Sequence, residues 1–226
     1  MKTLKIVTQT DSVETGKPGV HDNWMDDCAW ATLACAANHL TGSTMTSKDG
    51  IAVGESVGRH DRDGFPDPTS LAQLVRGANK VGLVARYAKS WSDVLTSMKK
   101  GAVIIINVQQ AKDYPAVPMS KWHKAYQKKN PKGTYGHITC AVAGTIGAQW
   151  ADPTMTGKRK EADAVPVTIW QLKQIASSKG DAPHRRCLVL TKKPVVPPRK
   201  PVQPKKVVNR INALLSQVRR SVSRNV

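Results

Sequence analysis

The chain has 226 residues, 40% of them hydrophobic, enough to bury a core, which excludes a wholly disordered protein or a disulfide-stapled miniature. Its 35 Lys and Arg against 16 Asp and Glu give a net charge of +19, and ten of those cations sit in residues 191–226, which hold no acidic residue. More than half the excess therefore belongs to the tail, and the rest of the chain has the modest charge of an ordinary folded domain. No apolar run nears the ~20 residues needed to cross a bilayer, so no transmembrane segment is expected. The N-terminal MKTLKIVTQTDSVETG lacks the uninterrupted apolar stretch of a secretory signal. Cys28, Cys35, Cys140 and Cys187 lie far apart without CxxC pairing, a pattern of reduced thiols rather than of a zinc ribbon or disulfide framework.

In chain order, residues 4–8 are β-prone and a polar Gly/Pro loop comes next. From Cys28 the Ala-rich CAWATLACAANHLTG predicts a buried helix ending at Gly42, with Asp26 and Asp27 placed to accept from its first N–H groups. Asp67-Pro68 is expected to open a second helix, TSLAQLVRGANKVG, ending near Gly77 or Gly82. After the β-prone Leu83–Tyr87, Ser90 and Asp93 form a capping box for a helix that stops at Gly101. AVIIINV (102–108) reads as a buried strand and 109–134 as a basic loop. Strands at 137–143 and 146–151, separated by Gly144 and Thr145, read as a hairpin. A helix at 168–178 and a strand at 187–191 complete a layout of helices followed by strands. That layout favours α+β with an antiparallel sheet over an alternating α/β fold.

Beyond 191, prolines at 194, 197, 198, 201 and 204 predict an extended linker over 192–206. Val207, Val208, Ile211, Leu214, Leu215, Val218 and Val222 then recur at helical spacing among basic residues, so 207–226 reads as a basic amphipathic helix.

The chemistry concentrates in three places. A cysteine at a helix N-terminus gains from the positive end of the helix dipole, which stabilises a thiolate. His137, in GHITCAVAG, opens a strand and can act as its base. Asp152, in WADP, ends the next strand, where a carboxylate can accept from the imidazole N–H and fix its tautomer. Otherwise a free Cys in an Ala-rich helix is a small buried hydrophobe, the reading taken for Cys35. The remaining histidines have no metal-ligand spacing, and HDRDGFPD lacks the ligands of a calcium loop and reads as a turn. Lys112, Lys121, Lys124 and their neighbours, with Trp122, Tyr126 and Tyr135 interleaved, make a loop able to gate a cleft or to meet an anionic ligand.

The helix-initial Cys in DDCAWATLA, the hydrophobic strand, the GH and the DP, in that order, resemble the bacterial papain-like cysteine peptidases of the bacteriocin-leader-processing, double-glycine type. The resemblance covers roughly residues 20–191. It implies a papain-like α+β fold over 1–191, with Cys28 as nucleophile, His137 as general base and Asp152 as orienting residue. It also implies no metal or cofactor, and a substrate such as a leader peptide or a peptidoglycan cross-bridge. Such peptidases carry a Gln six residues before the Cys to donate to the oxyanion. Here that position is Asp22, an acceptor when ionised, so either Asn23 donates through a one-residue shift or the site is catalytically weakened.

Two functions are expected from these features. One is a thiol peptidase or amidase, cytoplasmic in a bacterial producer. The other is a catalytically weak papain-like module of a phage particle or other assembly. In either case the tail at 192–226 would bind nucleic acid or an assembly partner.

Overall fold

The computed structural model describes residues 3–8, 27–59, 61–62, 65–66, 69–110, 135–153, 164–177 and 182–194. The helices are α1 (Cys28–Thr41), α2 (Ser47–Glu55), α3 (Leu71–Lys80), α4 (Trp91–Lys99) and α5 (Ile169–Ala176), with a 3₁₀ turn at Pro183–Arg186. The strands are β1 (Asp61–Arg62), β2 (Phe65–Pro66), β3 (Leu83–Tyr87), β4 (Val103–Gln110), β5 (Tyr135–Gly144), β6 (Gly147–Ala151), β7 (Val165–Val167) and β8 (Cys187–Lys192). All belong to the unit Met1–Lys193. The linker and amphipathic helix expected in the tail lie outside the described residues from 195 onward. So does the basic loop, except that β4 extends through Gln110 into its first two residues and narrows it to 111–134. Among the described residues no helix is long and apolar enough to cross a membrane.

Six strands form one sheet in the order β3-β8-β4-β5-β6-β7, every pair antiparallel. Together with the helices this is the α+β arrangement read from the sequence. Side chains alternate across the central strands: Val103 and Ile105 of β4, with Leu188 and Leu190 of β8, join the core of α1 and α3. Ile104, Ile106, Val108, Cys187 and Val189 join the core of α4 and α5 on the other face. Helices on both faces explain why AVIIINV is apolar but for Asn107. Each such buried aliphatic side chain contributes roughly 1.5–3 kcal/mol relative to exposure.

The first helix begins at Cys28 and ends at Gly42, whose φ of 79° closes the helix in the left-handed region. Its cap differs from expectation. The Asp27 side chain makes no capping hydrogen bond, because its carboxylate is engaged with Arg59 instead; Asp26 lies outside the described residues. Residues 3–8 lie alongside α1, with the Val7 N–H donating to Cys35 Sγ at 2.9 Å and the Leu4 N–H to Gln149 Oε1 at 2.8 Å.

Helix α2 is not among the elements anticipated from the sequence, and it contains Gly50 and Gly54. Both face Trp30 of α1. A Cβ on Gly50 would run into the Trp30 carbonyl oxygen, and one on Gly54 would come within 2.5 Å of the indole ring; Gly77 of α3 meets the same ring at 2.8 Å. The glycines are packing surfaces for a fully buried Trp, and Thr46 with Asp49 supplies the capping box that offsets part of their helix penalty.

Helix α3 starts at Leu71, later than Asp67-Pro68, because Ser70 and Gln73 form a reciprocal capping box there. Only half of the Ser90–Asp93 box forms. Ser90 accepts from the Asp93 N–H, while the Asp93 carboxylate turns to Arg86 at 2.6 and 2.8 Å and to the Lys89 N–H. That bidentate contact, first among the causes, holds the Asp93 carboxyl well below its usual range. Strand β6 begins at Gly147, one residue later than expected, since Gly144 pairs with Gly147 across a Thr145–Ile146 turn.

Candidate active site

The site is built where β6 leaves β5. Strand β6 pairs with β5 only from Cys140 onward, with Cys140 opposite Ala151. Near the start of β5, Thr32 of α1 donates through Oγ1 to the Ile138 carbonyl at 3.0 Å, a buried tie between the helix of Cys28 and the strand of His137. Within the hairpin, Trp150 Nε1 donates to Thr139 Oγ1 at 3.0 Å. Two residues further along both strands the same diagonal recurs, and His137 Nε2 lies 2.7 Å from Asp152 Oδ1. His137 and Asp152 are only 3% and 1% exposed. A carboxylate can only accept, so Nε2 carries the shared proton and Nδ1 is left for another partner.

That partner is Cys28. Its thiol lies within hydrogen-bonding reach of the His137 side chain, and three influences act on the ring. Burial favours the neutral form; against it, the Asp152 charge and the Cys28 thiolate, by charge and hydrogen bond, push the His137 pKa up from 6.5 to about 10. The ring is thus held as an imidazolium between two acidic groups. The intrahelical bonds of α1 begin with the Trp30 and Ala31 N–H groups, both donating to the Asp27 carbonyl. The Cys28 amide precedes them at the positive end of the helix.

Cys28, His137 and Asp152 are therefore brought together, whereas Asn23 and Asp22 lie outside the described residues. Cys35 and Cys140, like Cys28 and Cys187, are buried free thiols. A hydrogen bond to Cys35, with burial second, raises the Cys140 thiol well above its ordinary value, and burial pushes Cys187 up to about 12. Cys140 and Cys187 thus stay protonated near neutrality. Among the described residues no group of side chains suits a metal ion.

Sequence reasoning passed over two neighbours of the site. Asp27, next to Cys28, lies 2.7 Å from Arg59 Nη2 through Oδ1, with side chains only 4% and 6% exposed. The contact has the distance of an ion pair without the alignment of a hydrogen bond. A single Arg in the Gly-containing turn after α2 has no periodicity to betray it. Asn107 of β4 pairs with Ile138, one register step from His137, and its Oδ1 is buried with no hydrogen-bond partner among the described residues. A polar residue near the end of an apolar strand was the available signal.

No family model matches the chain, and no curated protein matches it. Among solved structures, a crystal structure from Bacillus anthracis, provisionally assigned as a C39-like peptidase, is similar with a TM-score of 0.42 and 13% identity. The match covers 84% of this chain and 98% of that one. A likeness of this size fixes neither fold nor activity, and the functional reading rests on the geometry of Cys28, His137 and Asp152.

Proposed function

We propose that the protein is a thiol peptidase of papain-like fold, hydrolysing a peptide bond with Cys28, His137 and Asp152. The single observation that supports this is the buried His137–Asp152 contact at 2.7 Å, with the Cys28 thiol at the start of α1 against the same ring. In this reading the Cys28 thiolate attacks the peptide carbonyl carbon, and the His137 imidazolium gives its proton to the departing amine. A thioester remains on Cys28. The now neutral imidazole takes a proton from water, whose oxygen attacks the thioester, and the acid product leaves as thiolate and imidazolium are restored. Asp152 keeps the ring oriented and its charged form stable throughout. In this reading the Cys28 amide, at the helix N-terminus, donates to the oxyanion, with Asn23 as the second donor. A leader peptide or a cell-wall cross-bridge is the substrate class, and the basic tail serves as an anchor to an anionic or protein partner.

The test is cleavage of a peptide library followed by mass spectrometry, with labelling of Cys28 by a thiol-reactive probe in parallel. Cleavage and selective labelling of Cys28, both lost in Cys28→Ala, are the expected result. Cleavage that survives Cys28→Ala, or a folded protein whose Cys28 takes no label at any pH up to about 10, where its imidazolium partner deprotonates, overturns the reading.

A further inference from the structure

The six-stranded sheet ends in β7 on one side and β3 on the other, and the two edges differ. Strand β7 has three residues with Pro166 at its centre, so it is short and lacks a backbone donor, as protected edges do. Strand β3 has five residues without proline and pairs with β8 without a bulge from Leu83 to Tyr87. The Lys193 N–H donates to the Gly82 carbonyl and the Ala88 N–H to the Cys187 carbonyl. Even-numbered residues of β3 therefore turn their backbone groups toward β8, and Leu83, Ala85 and Tyr87 turn theirs outward. Leu83 is buried, but Val84 and Tyr87 are 39% and 52% exposed, and among the described residues no strand pairs with the outer side of β3. The Tyr87 carbonyl accepts from the Arg86 guanidinium at 3.3 Å. The N–H and C=O of Ala85 and the N–H of Tyr87 are left facing outward.

The surroundings restrict what can pair there. Val84 and Arg86 lie on the α4 face, where with Val189 and Thr191 of β8 and Thr96 and Lys100 at the end of α4 they wall a cavity of about 280 Å³. Alternate side chains of a strand laid along β3 fall on that face. From Leu71 to Lys100 and from Cys187 to Lys193 the chain holds eight Lys and Arg against one acid, Asp93, which is engaged by Arg86 at 2.6 Å. Lys80, Lys89, Lys100, Lys192 and Lys193 are exposed; Lys192 pairs with Leu83, and Lys80 and Lys89 stand just outside the two ends of the strand. A second copy laid edge to edge would set like charges against each other, whereas carboxylates are drawn in.

We infer that the β3 edge is a docking site for an extended acidic segment of another polypeptide, which adds as a further strand and sets a carboxylate side chain beside Lys100. Main-chain hydrogen bonds to Ala85 and Tyr87 hold the segment, and the cations select it. The site lies three strands away from His137 of β5, and the inference does not depend on the thiol peptidase reading.

The experiment measures, by fluorescence anisotropy at physiological salt, binding of the full-length chain to labelled, end-blocked heptapeptides. The acidic probe alternates glutamate and valine, and the control alternates lysine and valine. Two further acidic probes are N-methylated on one or the other alternating set of amides. The acidic probe should bind and the basic one should not. One N-methylated probe should lose about tenfold or more while the other keeps most of the affinity, since only alternate amides face β3. Ala85→Pro, which removes an outward N–H and spares the ladder to β8, should weaken binding by about tenfold with the melting temperature nearly unchanged. Lys100→Glu should weaken it roughly two- to fivefold. If Ala85→Pro does not fold, the two N-methylated probes decide alone. No binding of the acidic probe, or equal losses in the two N-methylated probes, would overturn the inference, because attraction of charge alone, the basic tail's included, treats those two alike. A chain that dimerises, loses the dimer in Ala85→Pro and leaves the acidic probe unbound would overturn it in favour of a second copy.

Discussion

His137 Nε2 and Asp152 Oδ1 are 2.7 Å apart and both side chains are buried, so the imidazolium is stabilised by a charge that water does not screen. The contact lies two residues beyond the Trp150–Thr139 hydrogen bond on the same hairpin, which makes the orientation of the ring a property of strand register. His137 therefore gains proton affinity from the fold rather than from a flexible neighbour.

Asp152→Asn is expected to lower the alkaline limit of activity. In the parent the imidazolium persists up to about pH 10; without the carboxylate the descending limb of the rate profile should move down by about one to two units. Stability should depend on the same group. The folded value lies above the ordinary 6.5, so the contribution is fully present below pH 6.5 and is lost as pH rises through about 10. The free energy of unfolding should therefore fall from about pH 7 to about 10 more steeply in the parent than in the variant, by an amount on the order of a few kcal/mol, with the melting temperature following it. Parallel melting profiles would show that Asp152 does not stabilise the imidazolium.

Cys28→Ala should remove peptide cleavage by roughly 10⁴–10⁶-fold while leaving the melting temperature within a few degrees. Alanine is the best helix former, and the thiol it replaces is small. Circular dichroism and a cleavage assay on the same preparation check both halves. A large loss of stability would mean that the thiol is a structural plug rather than a nucleophile.

Gly54→Ala and Gly50→Ala should each destabilise by about 1–3 kcal/mol despite the better helix propensity of Ala, because overpacking outweighs the ~1 kcal/mol gained. Their rescue should differ. Gly54 faces the Trp30 ring, so Trp30→Leu should recover much of the cost of Gly54→Ala. Gly50 faces the Trp30 backbone, and no side-chain change there should help. Equal rescue of both in urea melts would show that the helix pair can slide apart.

What was legible in the sequence is what local chemistry determines. The Ala-rich run closed by Gly42, the apolar strand buried on both faces, and the GH and DP that carry His137 and Asp152 are written within a few residues of themselves. Helix α2 was not, because Gly50 and Gly54 answer to Trp30, a contact that no local pattern reveals. Arg59 was invisible for the same reason, being defined by a carboxylate on another element. The Ser90–Asp93 box failed in half because Arg86 and the Lys89 N–H compete for the same carboxylate, and a sequence motif does not list its competitors. Asp27 likewise abandoned the capping role its position suggests for an ion pair with a guanidinium.

The oxyanion site gives the last prediction. In the proposed peptidase the Cys28 amide is one donor at the head of α1, and a second would come from the segment before it, where Asp22 stands in the place of the Gln that the resemblance implies. An ionised carboxylate repels a developing oxyanion, so a neutral donor is required, and Asn23 is the adjacent amide. Asn23→Ala should then reduce kcat by about 10²–10³-fold with little change in KM. Asp22→Ala should be neutral or mildly activating, and Asp22→Gln, which restores an amide at the expected position, should raise kcat. These three variants distinguish the donors by steady-state kinetics alone. If Asp22→Ala proves the more damaging substitution, the one-residue shift is wrong, and Asp22 serves the site as an acceptor that orients another group.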